Sequence, residues 1–221
     1  MSGPTLSSAN RVCWVPFNGD ALDDSPNGHD FALINSPSYI SGPTSGQALE
    51  LNKASSEYAN IADHGDFDCT GAFTIGAWLK TNDLSADTGL FQKIAGATGI
   101  VLYWESAGYW RLQLNNVSTS NPSDSGADLT NADTWAHFVF TRANSTADVL
   151  VYKNAGTPVT ISASTAVTAN TAAAEIGRKF TAQAELDISE FFLFNRAFTS
   201  GEISTAYNSG VRLSYAGITW T

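Results

Sequence analysis

Three carboxylates stand close together in Glu185-Leu186-Asp187-Ile188-Ser189-Glu190. Retaining hydrolysis of a glycosidic bond needs a nucleophile and a general acid about 5 to 5.5 Å apart, and Glu185 and Glu190 are the pair that would take those roles. The run alternates like a strand, so Glu185 and Asp187 share one face, and Glu190 joins them only across a β-bulge. The alternative is an exposed acidic strand end. A second acidic segment, Asp24-Ser25-Pro26-Asn27-Gly28-His29, combines a carboxylate, a side-chain amide and turn carbonyls, the hard oxygen donors that calcium prefers. The same composition also suits a turn stabilised by its own side chains. Trp104, Tyr109 and Trp110 flank an expected turn at Glu105 to Gly108, where exposed rings would stack on the apolar faces of sugars as in a lectin. Aromatic residues near strand ends also serve as core or rim packing. Trp14, Trp78 and Trp135 lie inside strand patterns and are expected in the core.

Other chemistries find little support. His29, His64 and His137 are isolated, without His-x-x-x-His or Cys-x-x-Cys spacing, so neither a transition-metal site nor a cysteine nucleophile is indicated. There is no Gly-x-Ser-x-Gly elbow and no Gly-rich phosphate loop. Cys13 and Cys69 are the two cysteines, expected as buried thiols, with a disulfide as the alternative. The formal charge is -10, from 21 acidic against 11 basic residues, and the bases form no stripe that could follow a phosphate backbone. Nucleic acid is excluded as the expected partner. No window holds the roughly 18 uninterrupted apolar residues of a membrane span, so no membrane insertion is expected.

The elements that must position these residues are strands. With 43% hydrophobic and 14% charged residues in a chain of 221, the composition supports one substantial core. Phe73, Ile75, Ala77 and Leu79 share one face of the alternating run Phe73 to Lys80. Similar runs span Gln47 to Leu51, Tyr58 to Ile61, Leu90 to Ile94, Ile100 to Trp104, Tyr109 to Leu114, Trp135 to Arg142, Val149 to Tyr152 and Leu186 to Phe194. Turn clusters at Asp24 to Gly28, Ser41-Gly42-Pro43 and Asn154-Ala155-Gly156 separate strands. Residues 116 to 133 and 162 to 174, rich in Ser, Thr, Asn and Ala, are expected as surface loops. One short helix is expected after Thr199 or Ser200, whose hydroxyl would cap it, ending near Asn208 to Gly210. The expectation is all-β: an antiparallel two-sheet jelly-roll sandwich with one short C-terminal helix.

Four segments in order carry a family resemblance. They are Trp14-Val15-Pro16-Phe17-Asn18-Gly19 followed by Asp23 to His29, then Phe73-Thr74-Ile75-Gly76-Ala77-Trp78, then Trp135 to Thr141, and last Leu186 to Thr199 with Glu202-Ile203. Together they resemble laminin-G-like jelly rolls of the concanavalin A-like lectin/glucanase superfamily, over nearly the whole chain. The resemblance implies one domain over residues 1–221, with an N-terminal arm at 1–10 and a C-terminal tail at 209–221. It also implies a structural calcium ion held by Asp24, Asn27, the carbonyl of His29 and Asp187. The hexapeptide Glu185 to Glu190 resembles the Glu-x-Asp-x-x-Glu pattern of retaining β-glucanases in the superfamily, although those carry it near mid-chain.

The function this implies is a non-catalytic binding or adhesion module that contacts glycans or a protein surface. Met1-Ser2-Gly3-Pro4-Thr5 shows no basic start leading to an apolar run, so no secretory signal peptide is visible. That favours a bacteriophage virion protein, a capsid decoration or tail-associated adhesin at the virion surface, contacting glycans, neighbouring virion proteins or further copies of itself. The alternatives are a secreted, extracellular bacterial carbohydrate-binding module, a structural cement protein, and a glucanase-like hydrolase using Glu185, Asp187 and Glu190.

Overall fold

The alternating runs pair into two large antiparallel sheets in a computed structural model that describes residues 5–43, 45–81, 83–119, 132–210 and 218–221. The eight-stranded sheet runs β14 (Val159–Ile161), β13 (Val149–Lys153), β12 (Ala136–Arg142), β7 (Phe73–Lys80), β18 (Leu186–Phe194), β5 (Gln47–Leu51) and β4 (Ser38–Ser41). Its remaining strand, β2 (Arg11–Val15), pairs with the second half of β18. The seven-stranded sheet runs β11 (Val117–Thr119), β10 (Tyr109–Leu114), β9 (Thr98–Glu105), β8 (Thr88–Ala95), β15 (Ala174–Ile176), β6 (Tyr58–Ile61) and β3 (Ala32–Ile34). The chain is thus an all-β jelly-roll sandwich. Among the described residues no helix is long and apolar enough to cross a membrane.

Strand parity builds the core. Phe73, Ile75, Ala77 and Leu79 of β7 meet Phe91, Leu102, Leu112 and Leu114 of the opposite sheet, all fully buried. Complete burial of each large side chain is worth about 1.5–3 kcal/mol. The outward parity of the eight-stranded sheet is apolar too: Trp14, Val139, Phe192 and Phe194 form a second cluster with Phe198, Ile203 and Ala206. The helix α1 (Ser200–Tyr207) covers it, which explains why both faces of β18 are apolar. Thr199 caps this helix, accepting from the Glu202 N–H while the Glu202 carboxylate accepts from the Thr199 N–H. It ends at Asn208 in the left-handed conformation, φ 47°.

The short strands differ from expectation. β11 starts inside the segment expected as a loop, whose residues 120–131 lie outside the described set. The expected arm and tail meet: β1 (Thr5–Leu6) pairs in parallel with β19 (Thr219–Trp220). Another small pair, β16 (Arg178–Lys179) with β17 (Ala182–Gln183), forms a hairpin. Cys13 and Cys69 are free thiols in the core, and burial pushes the thiol pKa of both up, Cys69 to about 12.

Candidate functional site

On the outward face of the eight-stranded sheet an aromatic cleft opens beside the end of α1. Alternation that points Ala77 and Leu79 inward turns Trp78 outward. The register sets His137 of β12 opposite it. The helix end then brings Tyr207 over both, with ring centroids 5.9 Å from Trp78 and 6.0 Å from His137. Trp135, one residue before β12, joins Trp78 and Tyr207 in lining a cleft of about 470 Å³, with Pro43, Asp133, Thr134, Asn154 and Gly210 completing it.

Each wall has a local cause. Asn154 takes φ 51° in the turn after β13, where its backbone N–H donates to the His137 carbonyl at 2.8 Å and its Oδ1 accepts from the His137 N–H at 2.9 Å. His137 is sealed beneath the rings, and burial pulls its pKa from 6.5 down to about 3, so it is neutral there. Trp135 is half-buried, with the Lys80 ammonium 5.6 Å from its ring centroid. Lys80 is itself paired with Asp187 at 2.8 Å. The described lining therefore offers aromatic faces, two hydroxyls, an amide and one carboxylate, with no cationic side chain. Apolar ring faces with a few polar groups at the edge match the two kinds of surface on a pyranose.

The lectin-type site expected at Trp104, Tyr109 and Trp110 is corrected by this geometry. Trp110 lies opposite Trp104 in the β9–β10 register, and both share inward parity with Leu102 and Leu112. The two indoles are each 2% exposed and pack edge to face, Trp110 lying 4.9 Å from Phe140 as well. Tyr109 is half-buried, and its hydroxyl accepts from Arg111 at 3.0 Å. Trp135 moves the other way, from expected core to half-buried cleft lining, whereas Trp78 is buried as expected, 5% exposed, with only an edge on the cleft. Trp14 is in the core as expected, in the cluster that α1 covers on the outward face.

The four expected calcium ligands are not brought together. The loop is organised by Asp23: its Oδ1 accepts from the N–H groups of Trp14 and Ser25, and its Oδ2 from the Ser25 hydroxyl and the His29 N–H, all within 2.9 Å. Asp24 is exposed, and the Asn27 amide donates to the carbonyls of Arg11 and Val12 at 2.8 Å. This is the self-stabilised turn. It hangs from Trp14, which pairs with Phe192. Asp187 lies on the first half of β18, across the bulge, where it stands opposite Glu50 and Lys80 and is paired with the Lys80 ammonium.

The acidic hexapeptide does contain the bulge that its parity required. Glu190 sits at φ 53°, between the two registers that β18 makes with β7. The bulge turns the Glu190 side chain to the outward face, where it is 2% exposed and accepts from the Trp14 indole N–H at 2.7 Å. Glu185 accepts from the Lys53 N–H at 3.2 Å. Burial raises the Asp187 pKa despite its pairing with Lys80. None of the three lines the aromatic cleft.

A second, smaller cleft of about 340 Å³ lies where the β16–β17 hairpin covers β8. At its centre the Glu175 carboxylate accepts from Arg178 at 2.6 Å and from Gln92 at 2.5 Å. Both oxygens of the Glu175 carboxylate are thus engaged within the cleft.

A two-sheet antiparallel sandwich closed by a short C-terminal helix defines a jelly roll of the concanavalin A-like class. The family follows from the sequence: residues 53–204 match the laminin-G model of the concanavalin A-like lectin/glucanases superfamily, and the chain belongs to that family. No curated protein matches the chain. Among solved structures, the binding domain of Paraclostridial Mosquitocidal Protein 1 is similar at TM-score 0.70 and 17% identity, over 90% of this chain and 52% of that one. The binding domain of Botulinum neurotoxin DC in complex with rat synaptotagmin II is similar at TM-score 0.70 and 12% identity, over 91% of this chain and 52% of that one. The same domain in complex with SialylT gives TM-score 0.67 at 12% identity, with coverage of 91% and 52%. The chain spans about half the length of these structures, and at such identities the likeness is one of fold.

Proposed function

We propose that the protein is a non-catalytic binding module whose cleft at Trp78, Trp135 and Tyr207 takes a neutral glycan. The observation that carries this is an open aromatic cleft with a polar edge and no cationic side chain in its described lining. A formal charge of -10 further disfavours sialylated or sulfated ligands. The toxin binding domains that share the fold support a binding role for this scaffold. Against hydrolysis stands the engagement of the carboxylates, above all Glu190, which is buried under Trp14. The setting we favour is a bacteriophage virion surface, as a capsid decoration or tail-associated protein. Two reduced thiols in the core accord with assembly in a reducing compartment. A secreted carbohydrate-binding module is the second reading.

Binding to an array of neutral and anionic glycans tests the proposal. Neutral oligosaccharides are expected to bind, and Trp135→Ala to weaken them at least about tenfold, the loss of about 1.4 kcal/mol or more that an aromatic anchor supplies. Preference for sialylated ligands, or full retention of binding by the variant, would turn the proposal down.

A further inference from the structure

His29 and His64 are far apart in sequence, yet their rings stand 4.6 Å apart, and Asp66 lies against both. The Asp66 Oδ2 is 3.2 Å from His29 Nε2 and 3.4 Å from His64 Nδ1, and the three ligand atoms all lie within 4.8 Å of one another. Donor atoms at about 2.0–2.2 Å around one tetrahedral ion stand roughly 3.3–3.6 Å apart, close to both Asp66 contacts, and the two imidazole nitrogens draw into that range on binding. We propose that these three side chains bind a divalent transition-metal ion, of which zinc fits best, with the fourth position open to water.

The geometry around the donors supports this beyond their proximity. His64 is the N-cap of the 3-10 helix Gly65–Phe67, where its Nδ1 accepts from the Asp66 N–H at 3.3 Å. An Nδ1 that accepts carries no proton. Its single lone pair takes the Asp66 N–H at 3.3 Å, so an ion bound at this nitrogen replaces that long hydrogen bond, and no proton stands between Nδ1 and the Asp66 carboxylate oxygen at 3.4 Å.

The donors are also held in place from outside the cluster. The His29 N–H donates to Asp23 at 2.9 Å, and the His29 ring packs edge to face on Phe67 at 5.1 Å. Asn195, just after β18, donates to the Asp66 carbonyl at 2.9 Å. Three separate segments thus fix the donors, as outer partners do around metal ligands. His29 is nearly buried, while the side chains of His64 and Asp66 are about half exposed, at 52% and 49%, so an ion has a route in and an open coordination position. Two imidazoles with one carboxylate form a borderline-soft set that suits zinc, unlike the all-oxygen set of a calcium site.

The test is calorimetric titration of chelator-stripped protein with zinc chloride near pH 7.5, repeated with cobalt(II) to read coordination from the visible spectrum. His64→Asn keeps a capping acceptor while removing the imidazole, and Asp66→Asn removes the carboxylate. Circular dichroism confirms that each variant is folded. Uptake of one equivalent, with the strong visible bands of four-coordinate cobalt and at least about tenfold weaker binding in both variants, bears the site out. Absence of uptake by the parent protein overturns it, as does an isotherm that both folded variants leave unchanged.

Discussion

Lys93→Met lowers the unfolding free energy by about 3–5 kcal/mol. Lys93 has inward parity on β8, opposite Ile100, and its side chain is 0% exposed. Its ammonium has three donors, and three acceptors meet them: Asp63 and Asp68 at 2.8 Å each and the Asn170 carbonyl at 2.6 Å. Asn170 in turn donates to the carbonyls of Lys93 and Thr98, tying the 162–173 loop to the β8–β9 hairpin. Methionine fills the volume but strands Asp68, whose side chain is 13% exposed, beside Asp63. Urea unfolding at neutral pH reads the loss directly. Adding Asp68→Asn is expected to recover part of it, since the stranded buried charge is the main cost. The two acids hold the Lys93 pKa above its usual 10.5. Its contribution is therefore fully present below that value and is lost only as pH rises through the raised pKa. A cost under about 1 kcal/mol would mean that the ammonium is solvated in the folded protein.

The second large effect concerns acid. His137 lies among Trp78, Phe192 and Tyr207, with no hydrogen-bond partner at Nδ1 among the described residues. Its pKa in the fold is about 3 against 6.5 when exposed. The unfolded chain therefore takes up the proton first. The stability tied to the neutral ring is complete above pH 6.5 and falls by about 1.4 kcal/mol per unit as pH drops towards 3. His137→Phe keeps an aromatic ring in the cage and removes both the titration and the unpaired nitrogen. Relative to the parent, the variant is expected to gain on the order of 2–3 kcal/mol between pH 7.5 and pH 4.5. Equal stability differences at the two pH values would show that His137 is protonated within the fold.

Much of the scaffold was legible from period-two alternation. Phe73–Lys80, Tyr109–Leu114 and Leu186–Phe194 fold over the spans that their patterns mark, and the Thr199 hydroxyl starts α1. Strands of three residues, such as Ala32–Ile34 and Val159–Ile161, are too short for alternation to show and exist because a neighbouring strand offers a ladder. The placement of the tryptophans was partly readable. Trp104 and Trp110 share parity with Leu102 and Leu112, which pointed inward, whereas Trp78 has the parity opposite to Ile75 and Leu79, which pointed outward. What no local pattern carries is convergence. The aromatic cleft needs the start of β12, the end of α1 and the β13 turn in one place. The cluster of His29, His64 and Asp66 needs a loop held by Asp23 to pack on a 3-10 helix. Both come from tertiary packing.

The aromatic cleft is tested most directly by the six indole N–H resonances in a nitrogen-15 spectrum during titration with a neutral oligosaccharide. The signals of Trp135 and Trp78 are expected to shift with saturation, while those of Trp104 and Trp110 in the core stay in place. Shifts centred on Trp104 and Trp110, with Trp135 unmoved, would contradict the assignment of the cleft.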